Sequence, residues 1–125
     1  MALECADCAN CPLRSYWERR GHWNPIDFEE NGNGILILGD APSKQDVATG
    51  RPFTDKLGLD IMAELEKRQH NRLMVSWGNL LGCRWPDDNP KTYMAQLQST
   101  NRKRVKDGKE PLQSPLKACW GHVAP

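Results

Sequence analysis

The sequence predicts an α/β protein built on a parallel sheet. Two short runs, residues 35–38 and 73–77, have the apolar and β-branched content of strands. Between them, residues 56–68 carry Leu57, Ile61 and Leu65 at the spacing of one helix face. A strand, a loop, a helix and a second strand form a βαβ unit, which makes the strands parallel and places function at their carboxyl ends.

Length and composition limit the classes of protein to consider. A chain of 125 residues forms at most one domain, and its 17 basic residues nearly balance its 16 acidic ones, so net charge indicates no partner. No apolar run approaches the length of a membrane span, and residues 1–5 lack the features of a signal peptide. We therefore expect a cytoplasmic protein, in a compartment where closely spaced cysteines bind metal more often than they form disulfides.

Local patterns define the remaining elements in order. Residues 5–11 form a cysteine-rich turn, residues 12–20 are expected to form a helix, and the Gly, Asn and Pro residues of 21–34 indicate a loop. The first strand ends in Gly39-Asp40-Ala41-Pro42, and a second turn at residues 49–52 delivers Phe53 just before the predicted helix. Residues 91–109 are polar and strongly basic.

The five cysteines indicate a metal centre. Cys5, Cys8 and Cys11 are three residues apart, whereas Cys83 and Cys119 lie alone, which is not the paired spacing of a zinc finger or ribbon. Four thiolates from separate loops suit a tetrahedral zinc or a 4Fe–4S cluster, and ligand type alone does not choose between them. The alternative is that Cys83 and Cys119 are ordinary buried cysteines.

The order of the motifs resembles the iron–sulfur uracil-DNA glycosylases of family 4. That family has a CxxC-x-Leu opening, a strand ending in Gly-Glu-(Ala/Gly)-Pro-Gly, a Gly-Arg-Pro-Phe turn, a strand ending in Asn-x-x-Lys-Cys-Arg-Pro-Pro, and a last cysteine on a helix. This chain has CANCPL, ILILGDAPS, TGRPF, NLLGCRWP and SPLKAC in the same order. The ordered set is more specific than any one motif. The resemblance implies a three-layer α/β/α fold with a parallel sheet.

The resemblance also implies roles for individual residues. Cys8, Cys11, Cys83 and Cys119 match the four ligands of a 4Fe–4S cluster, which leaves Cys5 spare. Gly39 lets the backbone approach the ligand closely. The four further matches are Phe53, on which a flipped uracil stacks, Asn79, which reads the uracil edge, and Asp40 and Asp46, the carboxylates expected near the sugar and base. The alternative for Phe53 is a core aromatic.

The proposed pocket residues suit the chemistry of base excision. An enzyme that acts on a base takes it out of the stack, holds it by stacking and reads its edge. An Asn carboxamide donates to uracil O4 and accepts from N3–H. Cytosine inverts both groups, so an Asn held in one orientation discriminates against it.

Several departures from the family limit the expected activity. Asp40 replaces the family's longer Glu, and Ser43 replaces the second Gly of the loop. The family also has a C-terminal His-Pro-Ser motif whose His stabilises the uracil anion, and His122 does not match it. The resemblance covers about two-thirds of a family domain, so the fold is expected to be incomplete at the C-terminus, with a second polypeptide as one means of completing it.

Two functions from different classes follow. The first is recognition of uracil in DNA with weak excision in the absence of the His motif, and the basic insertion at about residues 91–110 would contact DNA phosphates or be merely solvated. The second is a non-catalytic iron–sulfur module that binds DNA or forms a complex. A zinc-binding structural domain is the third and weakest interpretation.

Overall fold

The computed structural model describes residues 7–32 and 34–123, with the side chains of residues 122 and 123 left aside. The helices and strands of this part, in chain order, are α1 (Pro12–Arg19), β1 (Leu36–Gly39), α2 (Lys44–Thr49), α3 (Lys56–Lys67), β2 (Ser76–Asn79), α4 (Pro90–Lys106), α5 (Pro115–Ala118) and α6 (Trp120–Val123). Short 3₁₀ turns lie at Cys8–Asn10, Arg72–Met74 and Pro86–Asp88. The protein is therefore a mixed α/β structure.

The two strands form a parallel sheet, which confirms the class of sheet that the sequence predicts. Ile37 pairs with Trp77 and Gly39 pairs with Asn79, so both strands end at the same edge. Glu29 forms an antiparallel bridge to Trp77 on the other side of β2. Within the described residues, β2 therefore has neighbours on both sides, whereas β1 pairs only with β2.

The second strand lies further along the chain than the sequence predicts. Its observed residues are Ser76–Asn79 rather than 73–77, because Leu73 and Met74 belong to a 3₁₀ turn and are exposed. The Asn71 side chain accepts a hydrogen bond from the backbone N–H of Leu73 and so caps this turn. The apolar run at residues 73–77 thus contains part of a capped 3₁₀ turn and only the first two residues of the strand.

Local capping explains where the helices begin. Helix α1 follows the prediction and starts at Pro12, whose missing N–H costs nothing at the first helical position. Helix α2 was not predicted from the sequence, although Ser43 and Asp46 form a capping box, which is a sequence signal for the start of a helix. Asp55 caps α3 by accepting from the Gly58 N–H.

The helix faces differ in part from the sequence pattern. In α3, Ile61 and Leu65 pack on the core as predicted, but Leu57 is exposed because it lies at the free first turn. The basic segment is mostly helical. It forms most of α4, which Pro90 and the Asn89 side chain begin and whose last turn carries Lys103, Arg104 and Lys106.

Two clusters of buried side chains hold the molecule together. The sheet-side core consists of Phe53, Val75 and Trp77, against which one face of α3 packs. The cysteine-side core consists of Leu13, Leu81, Trp85 and Cys119. Since the chain crosses from one core to the other just after β1 and β2, the strand ends lie between them. Among the described helices none has the length and apolar content needed to cross a bilayer.

Candidate functional site

The predicted pocket residues meet at the carboxyl ends of the two strands. Gly39 ends β1, and its register partner Asn79 ends β2. A Cβ atom at residue 39 would lie 2.5 Å from Asn79 Oδ1 and 2.7 Å from Phe53 Cζ. Only glycine allows this approach, so the structure brings together the three residues that the sequence assigned to uracil binding.

The Asn79 side chain is largely buried and makes no hydrogen bond with a described residue, but its carboxamide atoms are not sealed from solvent. Only 5% of the residue is exposed, and its carboxamide makes no hydrogen bond with any residue that the structure describes. Buried polar side chains nearly always have a partner, and an Asn carboxamide offers two donors and an acceptor. The arrangement is therefore suited to a ligand that supplies complementary groups.

Phe53 is held in a strained backbone conformation beside this carboxamide. Its φ of 55° lies in the left-handed region, which a bulky residue rarely adopts. The Arg72 guanidinium holds the loop by donating to the carbonyl oxygens of Pro52 (2.6 Å) and Phe53 (3.2 Å). Arg72 also donates to Glu29 at 2.7 Å, so a half-buried ion pair fixes the position of the aromatic residue.

The ring of Phe53 also serves the core. The residue is 6% exposed, and its centroid lies 5.4 Å from that of the Trp77 ring. Its Cζ edge is the part that faces Gly39. The structure shows Phe53 as a core aromatic whose Cζ edge borders the strand ends, and its role in stacking a base stays a prediction.

The Asp46 carboxylate is buried and hydrogen-bonded to the loop rather than accessible to solvent. The residue is 3% exposed, and its Oδ1 accepts from the Thr54 N–H at 2.7 Å and the Thr54 hydroxyl at 2.9 Å. Its Oδ2 accepts from the Ser43 N–H at 3.2 Å. The carboxylate thus ties the start of α2 to the residue after Phe53 and sets the course of the loop.

Asp40 has the opposite environment. It follows Gly39, it is exposed, and its Oδ2 accepts from the Trp85 Nε1–H at 3.3 Å. No described residue donates to its other carboxylate oxygen. Of the two carboxylates that the sequence placed near the sugar, Asp40 is therefore the one whose oxygens are accessible.

All four predicted cluster ligands line one cavity. Cys8 opens a 3₁₀ turn, Cys11 caps α1, Cys83 follows β2 and Cys119 ends α5. A hydrogen bond from the Asp7 N–H to the Ala118 carbonyl (2.7 Å) ties the N-terminal turn to α5. Cysteines from three distant parts of the chain thus line the same cavity, and Cys5, the predicted spare, lies outside the described residues.

Burial raises the pKa of three thiols in this cavity, those of Cys8, Cys83 and Cys119. Burial is the main cause that raises the pKa of Cys83 to about 12 and that of Cys119 to about 11. Burial also raises the pKa of Cys8, followed by the charge that Cys11 would carry. A bound metal reverses this preference because its positive charge stabilises thiolates.

The four cysteines supply thiol donors but not a preformed metal site. Within the described ranges, no three His, Cys, Asp or Glu side chains are placed to hold one metal ion. The cysteine cavity has a volume of about 20 Å³, so a cubane requires its walls to move apart. Four cysteines with no other type of ligand match the donor set of a tetrahedral zinc as well as that of a 4Fe–4S cluster.

A cleft next to the cysteines carries basic side chains. It has a volume of about 310 Å³ and is bordered by Lys44, Arg84 and His22, with Cys83 in its wall. Lys44 forms no ion pair with any described residue, whereas Arg84 pairs with Asp88 at 2.8 Å. The cleft is therefore suited to an anionic group close to the loop that follows β1.

Sequence reasoning missed the residues that support the site. Arg72 and Glu29 position the loop, Trp85 donates to Asp40, and Trp23 packs under the Arg14 guanidinium beside the cysteine cavity. The unusual number of tryptophans is the only signal in the sequence that could have drawn attention to two of them. No protein-family model and no curated protein matches this chain.

Proposed function

We propose that this chain recognises uracil in DNA through a pocket at the ends of β1 and β2. The observation that carries the proposal is the convergence of Gly39, Phe53 and the unpartnered carboxamide of Asn79. Carboxyl ends of parallel strands are where ligands bind in open α/β sheets. The resemblance to family 4 uracil-DNA glycosylases supports the same residues independently of their geometry.

Recognition of the base depends on Asn79. Its amide donates to uracil O4 while its carbonyl accepts from N3–H, and cytosine presents the opposite pattern. An unmatched pair of buried polar groups costs about 1–3 kcal/mol for each group. The Cζ edge of the Phe53 ring, which faces Gly39, is the part that the base would contact.

Excision is the second part of the proposed activity. Glycosidic cleavage develops positive charge on the sugar and negative charge on the leaving base. Asp40, with an accessible carboxylate oxygen, is the group that favours the sugar cation, and the buried Asp46 acts by holding the loop. With no His motif to stabilise the base, we expect a rate about a hundredfold to a thousandfold below that of a complete site.

The cluster has a structural role in this proposal. Cys8, Cys11, Cys83 and Cys119 would bind a 4Fe–4S cluster that joins the N-terminal turn, the loop after β2 and the end of α5. Since the Cys83 loop begins at Asn79, a bound cluster limits the movement of the base-reading residue. Zinc in place of the cluster would instead support the structural-domain interpretation.

The outer edge of β1 is the place where a further chain segment completes the sheet. Leu36 and Leu38 are 50% and 45% exposed, although strands of parallel sheets are normally covered on both faces. An unpaired strand edge readily accepts another strand. We propose that a second polypeptide adds its strand and helices here, which produces the three-layer α/β/α domain and supplies the missing His.

DNA phosphates are expected to contact two basic regions. The last turn of α4 carries exposed cations, and Lys44 and Arg84 border the cleft near the pocket. Neutralising phosphates makes binding depend steeply on salt concentration. Basic residues at a helix C-terminus also stabilise the helix itself, so the cleft is the more specific of the two regions.

Base recognition is tested with matched oligonucleotides that contain one unpaired uracil or one unpaired cytosine. The unmutated protein should prefer uracil, and Asn79→Asp, which keeps the acceptors and loses the donor, should remove the preference. Phe53→Leu keeps most of the core volume and should weaken both complexes equally. Asn101→Ala is the control, because Asn101 caps the segment at Leu112 through both of its amide groups. Equal affinity of the unmutated protein for both bases would end the proposal.

The metal is tested by anaerobic purification followed by iron, sulfide and zinc analysis. A brown protein with four iron atoms per chain is expected from the four thiolates. Replacing Cys83 by Ser should abolish loading, whereas Cys5→Ser should retain it. One zinc per chain and no iron would establish the structural zinc domain instead.

The non-catalytic alternative rests on the environment of Asp46, whose oxygens all serve the loop. Release of free uracil from a uracil-containing duplex distinguishes it from the glycosylase. We expect trace release by the chain alone and strong release when a polypeptide with the His motif is added. Uracil binding without release in either condition would favour the binding module.

A further inference from the structure

The cleft that contains Lys44 and Arg84 has the composition of a nucleotide site. Its volume of about 310 Å³ lies at the lower end of the roughly 300–1,000 Å³ range of small-molecule pockets. An aromatic ring, an imidazole, an amide and two cations line it, and they belong to Trp17, His22, Asn24, Lys44 and Arg84. None of the described residues that line the cleft is acidic, so its charge is complementary to that of an anion.

The cationic side of the cleft suits a phosphate group. Lys44 is exposed, and its ammonium group has no partner among the described residues. Arg84 donates to the Asp88 carboxylate through Nε (2.8 Å) and Nη2 (3.3 Å), which leaves Nη1 without a described acceptor. Because Asp88 balances the charge of Arg84, Lys44 is the main cation for a phosphate and Arg84 Nη1 is a further donor to it.

The aromatic side of the cleft is fixed in position. The Trp17 indole N–H donates to the Arg84 carbonyl at 2.8 Å, and the Tyr16 ring lies perpendicular to the Trp17 ring at 5.0 Å between centroids. The Arg84 guanidinium lies 5.7 Å from the centroid of the Trp17 ring. Nucleic-acid bases stack on tryptophan, and a nucleotide joins such a base to a phosphate. The neighbouring ring and cations therefore match the two parts of one ligand.

Asn24 adds a hydrogen-bond acceptor. Its Nδ2 donates to the Val47 carbonyl at 3.1 Å, which ties the loop before β1 to helix α2. Its Oδ1 accepts from no described residue. An amide oxygen pairs with the amino group of adenine or cytosine, whereas uracil and thymine have an oxygen at the corresponding position. The cleft is thus expected to prefer bases that the uracil pocket rejects.

The cleft and the proposed uracil pocket are built from the same two loops. Gly39 and Lys44 belong to the loop and helix after β1, and Asn79 and Arg84 belong to the segment after β2. Each pair is five residues apart, so its Cα atoms are separated by at most about 18 Å. About five nucleotides of a stacked strand cover this distance, at about 3.4 Å for each nucleotide.

We propose that this cleft is a nucleotide subsite, in which a base that carries an amino group packs against Trp17 and its phosphate binds Lys44 and Arg84 Nη1. The nucleotide is either free or part of an unpaired strand whose uracil occupies the pocket at Gly39. The strand source rests on the proposed uracil function, whereas the subsite itself does not.

The subsite is tested by calorimetric titration with dAMP, deoxyadenosine and inorganic phosphate. Adenine has the amino group and does not match the uracil pocket. We expect dAMP to bind at least about tenfold more tightly than either of its parts, because only dAMP contacts both sides of the cleft. Lys44→Gln should weaken dAMP about tenfold and leave deoxyadenosine unchanged, whereas Trp17→Leu should weaken both ligands.

Lys67→Gln is the matched control, since it removes one exposed lysine charge from a helix position outside the cleft. It should bind dAMP as the unmutated protein does. Trp17 packs on the cysteine-side core, so circular dichroism checks the fold of Trp17→Leu, and Lys44→Gln decides the outcome if that variant is unfolded. Phosphate binding as tight as that of dAMP, or unchanged dAMP binding by Lys44→Gln, overturns the subsite.

The source of the nucleotide is tested with a single strand of about five nucleotides that has uracil at its centre and adenine elsewhere. Tighter binding of this strand than of dAMP, with the gain lost in Lys44→Gln and in Asn79→Asp, assigns the subsite to a neighbour of the flipped uracil. The same affinity for the strand and dAMP assigns it to a free nucleotide. Binding of dAMP without a preference for uracil over cytosine overturns the proposed function alone, and the reverse result overturns the subsite alone.

Discussion

Replacing Asp46 by Asn tests whether the Asp46 carboxylate holds the loop or takes part in catalysis. The substitution keeps the shape of the side chain but exchanges one acceptor oxygen for an NH₂ group. In the structure both oxygens accept, Oδ1 from two groups of Thr54 and Oδ2 from the Ser43 N–H. An amide can satisfy only one of these sides, so at least one buried donor loses its partner.

The magnitude follows from these contacts. If the amide oxygen takes the Oδ1 position, the Ser43 N–H faces another donor, and an unsatisfied buried group costs about 1–3 kcal/mol. Asp46 also lies in the first turn of α2, where loss of negative charge costs about 0.3–1 kcal/mol. We therefore expect Asp46→Asn to lower the free energy of unfolding by about 1.5–4 kcal/mol.

Urea unfolding of the loaded protein measures this change, with Asp55→Asn as the control. Asp55 is a partly buried N-cap nine residues along the same loop, and its side chain accepts from the Gly58 N–H at 3.1 Å. Substitution of such a cap costs about 1 kcal/mol or less. The difference between the two variants therefore reports the extra contacts of Asp46.

The reasoning is refuted if Asp46→Asn unfolds at the same urea concentration as Asp55→Asn or the unmutated protein. Uracil release provides the second readout. A stable Asp46→Asn protein that loses residual release while retaining uracil binding would restore the catalytic role that the sequence predicted. A destabilised protein that regains binding and release at low temperature would confirm the loop-holding role.

The strand end, the cysteine cavity and the basic helix each supply one more prediction. Gly39→Ala should lower the free energy of unfolding, measured in urea, by about 1–3 kcal/mol and abolish the preference for uracil, because the added methyl group overlaps the Phe53 ring and the Asn79 carboxamide. Unchanged uracil binding would disprove this close approach. In the metal-free protein, the raised pKa of Cys83 keeps its thiol protonated in the folded state. The free energy of unfolding should therefore be constant below pH 9.0 and fall as the pH rises towards about 12, and this fall should be larger than in Cys83→Ala. Parallel pH profiles of the two proteins would contradict this effect of Cys83. Replacing Arg102, Lys103 and Lys106 by Gln should reduce the slope of log K against log salt by about 2.7 for duplex DNA, and an unchanged slope would place the contact elsewhere.

Local sequence signals were most reliable where neighbouring residues decide the structure. Pro12 at the start of α1 and the apolar face of α3 predicted both helices, because caps and side-chain spacing act within a few turns. The capping box of α2 was present in the sequence and would have been found by the same reasoning. The second strand was misplaced because an apolar run does not reveal which of its residues will be buried.

For the candidate site, the sequence identified the residues and the tertiary structure defined their environments. Motif order selected Gly39, Phe53, Asn79 and the four cysteines, and the structure brings each set together. The sequence could not distinguish Asp40 from Asp46, since both are acidic residues of one loop. Only the packing of Thr54 against Asp46 and the exposure of Asp40 separate their environments.

The sequence by itself determined the type of sheet, the positions of α1 and α3 and the inventory of cysteines, because these depend on local pattern and residue chemistry. The tertiary structure alone decided that the Asn79 carboxamide and the Phe53 ring both face Gly39, that Arg72 holds Phe53 in a left-handed conformation, and that Thr54 and Ser43 occupy the Asp46 carboxylate. Each of these depends on groups that are distant along the chain and come within a few ångströms only when the two cores form. The spacing of residues along a sequence cannot specify such distances, because they are set by how helices and strands pack against one another.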